Sequence, residues 1–176
     1  MKIILVMVSS VNGKITRGYD PDIYSWTSKE DADFFFSLLN QHNLIVMGSN
    51  TYEAARDMVK PEKERLRVIL TRNPEKYANE ALPGRIEFSS ESPETLVERL
   101  EKQGYSTMLL VGGGKTNALF LENSLVDELY LTIEPRLFGK GRPLIEKGSY
   151  DKNMKLQSVK KLNEQGTLLL QYVVMN

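Results

Sequence analysis

Short apolar runs alternate with amphipathic stretches along most of this chain, and that alternation restricts the fold more than any other feature. Ile3–Val8 is a near-continuous apolar run, as expected of a strand covered on both faces. Ser28 then caps a helix with Glu30 and Asp31 in its first turn and Ala32, Phe35, Leu38 and Leu39 along one side. Strand Leu44–Met47, a short helix through Ala54, Ala55 and Met58, strand Arg67–Thr71 and strand Ile86–Phe88 follow. Ser92-Pro93-Glu94 opens another helix, with proline in its first turn. Met108–Val111 is a fifth strand, leading into a helical pattern around Ala118, Leu119 and Leu121. The last third changes character: Glu128–Ile133, Met154–Leu162 and Thr167–Val174 read as strands, the last two joined by a turn at Asn163–Gly166. The polar stretch Asn73–Arg85 reads as a surface loop with one helical turn. The expectation is an α/β fold of three layers, whose central sheet is mixed but mostly parallel with an antiparallel C-terminal edge. One domain spanning residues 1–176 is expected from the length.

Composition excludes several classes of function. Lysines and arginines number 23 and so do aspartates and glutamates, and no basic tract stands out, which argues against a nucleic-acid face. There are no cysteines and one histidine, which removes disulfides, thiolate chemistry and a multi-histidine metal cluster. No metal site is expected. The apolar start is too short for a signal peptide and no stretch reaches membrane-span length, so the default is a cytoplasmic protein without membrane contact.

Between the fifth strand and its helix lies Val111-Gly112-Gly113-Gly114-Lys115-Thr116. Glycines at a helix N-terminus leave backbone N–H groups free to hold an anion. Gly114-Lys115-Thr116 imitates the end of a P-loop, but that motif needs glycine at 109, where Leu109 stands. A Rossmann fingerprint fails at Lys115 and Asn117. The plain alternative is a tight turn without a ligand. Two further strand ends carry similar loops, Gly48-Ser49-Asn50-Thr51 and Thr71-Arg72-Asn73. Three such loops at the carboxyl ends of strands suit a dinucleotide, whose phosphates need separated anion sites.

Ser9-Ser10-Val11-Asn12-Gly13-Lys14-Ile15, Trp26-Thr27-Ser28, Val46–Glu53, Arg67–Pro74, Leu110–Gly114, Leu125–Ile133 and Pro135–Leu144 occur in that order over almost the whole chain. In order and spacing they resemble the dihydrofolate reductase superfamily, nearest to the branch containing the C-terminal reductase domain of the bifunctional riboflavin-biosynthesis protein. The resemblance implies a sheet of about eight strands and an NADPH-dependent reductase. It implies cofactor contacts from Ser10, Ile15, Gly48, Ser49, Asn50, Thr51, Leu70, Thr71, Arg72, Val111, Gly113, Gly114, Lys115 and Thr116. It also implies a cis peptide between Gly112 and Gly113, and Arg72 and Lys115 are placed to favour NADPH over NADH.

On the substrate side the resemblance selects Asn12, Lys14, Arg17, Trp26, Phe35 and Arg136, with Lys14, Arg17 and Arg136 as cations for a substrate phosphate. Here the chain departs from that branch. Asn12 replaces an aspartate, Gly112 a glutamate, and Leu38-Leu39 a Leu-Arg pair, so three charges are missing. Dihydrofolate reductases place one acid on the first helix against the pterin ring, which makes Asp31 a candidate catalytic acid; a helix-start acid favoured by the dipole is the plain alternative. Glu134, just past its strand, is the second candidate. His42 reads as a helix-end residue answering the dipole.

Three functions are therefore open. The first is NADPH-dependent reduction of 5-amino-6-(5-phosphoribosylamino)uracil or a similar small heterocycle by hydride transfer. The second is a dihydrofolate or pterin reductase of the same fold, and the third a nucleotide-binding module without catalysis. Relatives in the branch often form homodimers, and Leu168-Leu169-Leu170 could serve an interface or the core.

Overall fold

The computed structural model describes residues 1–20 and 22–175. It contains β1 (Lys2–Ser10), α1 (Lys29–Gln41), β2 (Leu44–Gly48), α2 (Ser49–Ala55), β3 (Leu66–Leu70), β4 (Ile86–Ser89), α3 (Pro93–Lys102), β5 (Thr107–Leu110), α4 (Gly114–Glu122), β6 (Glu128–Glu134), β7 (Asn153–Lys161) and β8 (Leu168–Met175). The eight strands form one sheet in the order β4-β3-β2-β5-β1-β6-β8-β7. The first six are mutually parallel, and β8 runs antiparallel to both β6 and β7.

β1 lies between β5 and β6, which is why its sequence is apolar without alternation. Ile3 and Leu5 enter the core under α3 and α4, with Leu96, Leu100 and Phe120. Ile4 and Val6 enter the opposite core, with Leu38 of α1 and Tyr52 of α2. Helices thus cover both faces of the parallel part, giving three layers. Phe120 is 0% exposed, and its truncation to alanine would cost roughly 3–5 kcal/mol.

Local signals set the helix starts. The Ser28 side chain accepts the Asp31 N–H, and Ser92 does the same for Thr95 ahead of Pro93. The expected short helix after β2 is one α-turn pair that tightens into a 3₁₀ turn at Arg56–Met58. β3 and β4 are joined without an α-helix, by a loop carrying a 3₁₀ turn at Pro74–Tyr77. In the β7–β8 turn, Asn163 Oδ1 accepts the N–H groups of Gly166 and Thr167, both at 3.1 Å. No described helix is long and apolar enough to cross a membrane.

Candidate functional site

The carboxyl ends of β1, β2, β3 and β5 open on one cleft of about 1560 Å³. Single small-molecule sites occupy roughly 300–1,000 Å³, so this cleft has room for two ligands side by side. All three glycine or cation loops selected from the sequence line it: Gly48–Thr51, Leu70–Arg72, and Val111 with Gly113–Thr116. Ile15, Asp31 and Phe35 line it as well.

The loops are fastened to each other. Gly48 N–H donates to Gly112 O at 2.7 Å, and Val111 N–H to Val46 O at 2.9 Å. The Gly112–Gly113 peptide is cis. A Cβ on Gly48 would overlap Thr116 Oγ1, and one on Gly114 would stand 2.6 Å from Pro143 O. Gly112 has φ +90°, a conformation that disfavours side chains. Close packing of loop on loop therefore demands these glycines. Behind them, a strap holds the arrangement: Leu144 N–H donates to Gly13 O, Glu146 N–H to Gly114 O, and Asn117 Nδ2 to Leu144 O.

α2 and α4 both begin in this cleft, with Gly48 and Gly113 as N-caps and no side-chain cap on either. Their first N–H groups are left for a ligand or water. Arg72 and Lys115 are exposed beside them and make no ion pair among the described residues.

The same cleft is lined by Asp31, on the first turn of α1. It is 8% exposed, and burial pushes its carboxyl up to about 6; the neighbouring Thr132 hydroxyl opposes that rise and the Glu134 carboxylate adds to it. Phe34 and Phe35 continue the same wall.

Other residues selected from the sequence lie elsewhere. Glu134 does not line the cleft: it is 3% exposed, with Oε1 accepting the Ser28 N–H and Oε2 the Thr167 hydroxyl, each at 2.7 Å. Trp26 is 1% exposed and packs edge-on against Phe138 at 5.2 Å, with Nε1 buried and without a described partner. Asn12 clamps a loop, its Nδ2 donating to Phe138 O at 2.8 Å while Oδ1 accepts from the Phe138 N–H and the Ser10 hydroxyl. Ser10 Oγ in turn accepts the Lys14 N–H. Lys14, Arg17 and Arg136 are outside the cleft lining, and Arg17 reaches Asp20 at 3.5 Å instead. His42 is the C-cap of α1, at the far end of the helix from Asp31. Sequence reasoning missed Thr132, a polar residue inside the apolar run of β6 whose side chain comes beside Asp31. It also missed Met7, Tyr24 and Phe34 on the cleft wall. Among the described residues no group of three metal-ligating side chains occurs.

The family model described as the RibD C-terminal domain matches residues 1–168. The chain belongs to this family. The uncharacterized protein YwjB of Bacillus subtilis is 22% identical over 168 residues, 93% of either chain. A pyrimidine reductase-like protein from Corynebacterium diphtheriae superposes with a TM-score of 0.79 at 15% identity, covering 99% of this chain and 92% of that one. Dihydrofolate reductase from Enterococcus faecalis, complexed with NADP(H), gives 0.66 at 20% identity, covering 99% and 97%. This RibD C-terminal domain thus has the dihydrofolate-reductase fold, as the sequence resemblance implied.

Proposed function

We propose that this chain is an NADPH-dependent reductase of a flat, amino-substituted nitrogen heterocycle. Family and fold together support an oxidoreductase. The observation that carries the finer reading is Asp31, a buried acid lining the same cleft as two uncapped helix starts.

The cofactor half fits the residues present. A dinucleotide needs N–H donors for its pyrophosphate and a cation for an adenosine phosphate, and the α2 and α4 starts with Arg72 and Lys115 offer both. When bound, reduced nicotinamide supplies a hydride. The chain's own residues hold and orient. Ionised Asp31 accepts paired N–H donors from an amino-heterocycle edge, and protonated Asp31 holds a proton close to neutral pH. The Thr132 hydroxyl beside the carboxyl favours its ionised form, and Phe34 and Phe35 would shield the ring from water.

Either a pterin or an aminopyrimidine presents such an edge. The uncharged residues Asn12 and Gly112, and the absence of Lys14, Arg17 and Arg136 from the cleft wall, favour recognition through the ring over recognition through a ribose phosphate at the first loop. Titration calorimetry with NADPH tests the cofactor half, and lack of binding at millimolar cofactor would overturn the reductase reading. Turnover on dihydrofolate and on 5-amino-6-(5-phosphoribosylamino)uracil, followed by NADPH absorbance, then separates the substrates. NADPH binding without turnover on either would favour the non-catalytic module.

A further inference from the structure

Two acids are buried near the start of α1, Asp31 on the cleft wall and Glu134 away from it. Tyr130, Thr132 and Glu134 alternate along β6, so their side chains stand on one face of the sheet. Tyr130 meets Phe34 of α1 with ring centroids 6.4 Å apart, which makes this the face that α1 covers. Thr132 comes beside the Asp31 carboxyl, and Glu134 reaches the helix cap.

A line of hydrogen bonds runs from the β7–β8 turn to Asp31. Asn163 Nδ2 donates to Thr167 Oγ1 at 3.0 Å, and Thr167 Oγ1 donates to Glu134 Oε2 at 2.7 Å. Glu134 Oε1 accepts the Ser28 N–H at 2.7 Å, and Ser28 Oγ accepts the Asp31 N–H at 3.3 Å. A second tether lies outside this line, from Asn163 Nδ2 to Glu30 Oε2 at 3.0 Å.

Both Glu134 oxygens accept, which is the pattern of an ionised carboxylate. A glutamine could hold the same two groups, with its oxygen on the Ser28 N–H and its amide on the Thr167 hydroxyl. What the carboxylate adds is a buried negative charge, and that charge opposes the ionisation of Asp31. Tyr24, from the segment before the helix, also faces Asp31. Burial raises its phenol, with Asp31 and Asp22 adding to the rise, so it stays neutral while Asp31 titrates. Glu30 and Asp33, on the helix itself, are exposed.

We infer that Glu134 is a positioning residue for Asp31: fixed between Ser28 and Thr167, it holds the helix start and keeps a proton available on the acid that faces the substrate. That Asp31 is the working acid rests on the function proposed above; the link between the two carboxylates does not.

Carboxyl-carbon NMR of the full chain without cofactor follows Asp31 directly and needs no turnover, so it separates this inference from the reductase reading. The Asp31 signal is the one lost in Asp31→Asn. In Glu134→Gln its titration midpoint falls by about half a pH unit or more, as expected when a nearby like charge is removed. In Thr167→Val the midpoint falls by a smaller amount, because the hydroxyl that favours the charged form of Glu134 is gone. This second variant covers the case of Glu134→Gln failing to fold. On a substrate that is turned over, the pH above which kcat declines moves down in step with the midpoint. An Asp31 midpoint within about 0.1 unit of wild type in both variants would overturn the inference even if both lose stability, since a purely structural Glu134 gives that result.

Discussion

Glu134, the last residue of β6, accepts the backbone N–H of Ser28, the N-cap of α1, at 2.7 Å. That bond ties the sheet to the start of the helix three residues before Asp31. The other Glu134 oxygen accepts from Thr167 Oγ1, so a single buried carboxylate fixes the helix start and the β7–β8 turn together.

Glu134→Ala therefore leaves one buried and one part-buried donor without an acceptor. We expect a loss of about 2–4 kcal/mol in unfolding free energy, measured by urea denaturation. Glu134→Gln keeps an oxygen for one donor and should lose less than half of that. Equal losses for the two variants would contradict the positioning role.

Asp31 sets a pH dependence of known sign. Its folded-state pKa, about 6, lies above the ordinary aspartate value of 3.8, so the native state binds more protons than the unfolded chain between the two. The contribution is fully present below about 3.8 and is lost as pH rises through about 6. Asp31→Asn should flatten the stability profile in that window and gain on the order of 2 kcal/mol over wild type at pH 7.5. Parallel denaturation curves from pH 4.5 to 7.5 check this; a variant that tracks wild type throughout would refute it.

Gly48→Ala drives a methyl group into Thr116 Oγ1. The expected outcome is destabilisation by about 1–3 kcal/mol together with weakened NADPH binding. Thr116→Ala in the same chain removes the colliding atom and should recover most of the stability. A double-variant cycle by thermal melting tells this collision apart from a general intolerance of the loop.

Asn12→Asp restores the aspartate of the resembling branch, yet it should harm this protein. The Nδ2 donor to Phe138 O is replaced by a carboxylate oxygen facing that carbonyl. We expect a loss of about 1–2 kcal/mol at pH 7. The loss should shrink below pH 4.5, where the acid is protonated and can donate again. Melting temperatures at the two pH values decide it.

Arg72→Gln should weaken NADPH binding by about tenfold and leave NADH binding nearly unchanged, because a charge-assisted contact to the extra phosphate is lost. Calorimetry with both dinucleotides measures the ratio.

The sheet and helix starts were legible in the sequence because they obey local rules: continuous apolar runs for strands covered on both faces, and Ser28 and Ser92 at the caps. The cleft loops were legible because glycine between a strand and a helix has few other uses. Side-chain direction in irregular segments was not. Trp26 and Asn12 sit in such segments, and only the distant Phe138 determines that one packs inward and the other clamps a loop. Glu134 ends a strand beside the cleft in sequence terms, but Ser28 and Thr167 draw it into the interior.

The strap at Leu144–Glu146 carries a consequence for biosynthesis. The glycine loop at Gly112–Gly114 and the first loop at Gly13 both receive hydrogen bonds from a segment more than thirty residues downstream. During translation, β1 through α4 can emerge with both loops still lacking these contacts. The ribosome must deliver residue 146 before the glycine loop has its full set of bonds, so any dinucleotide seated there would meet a complete cradle only late in synthesis.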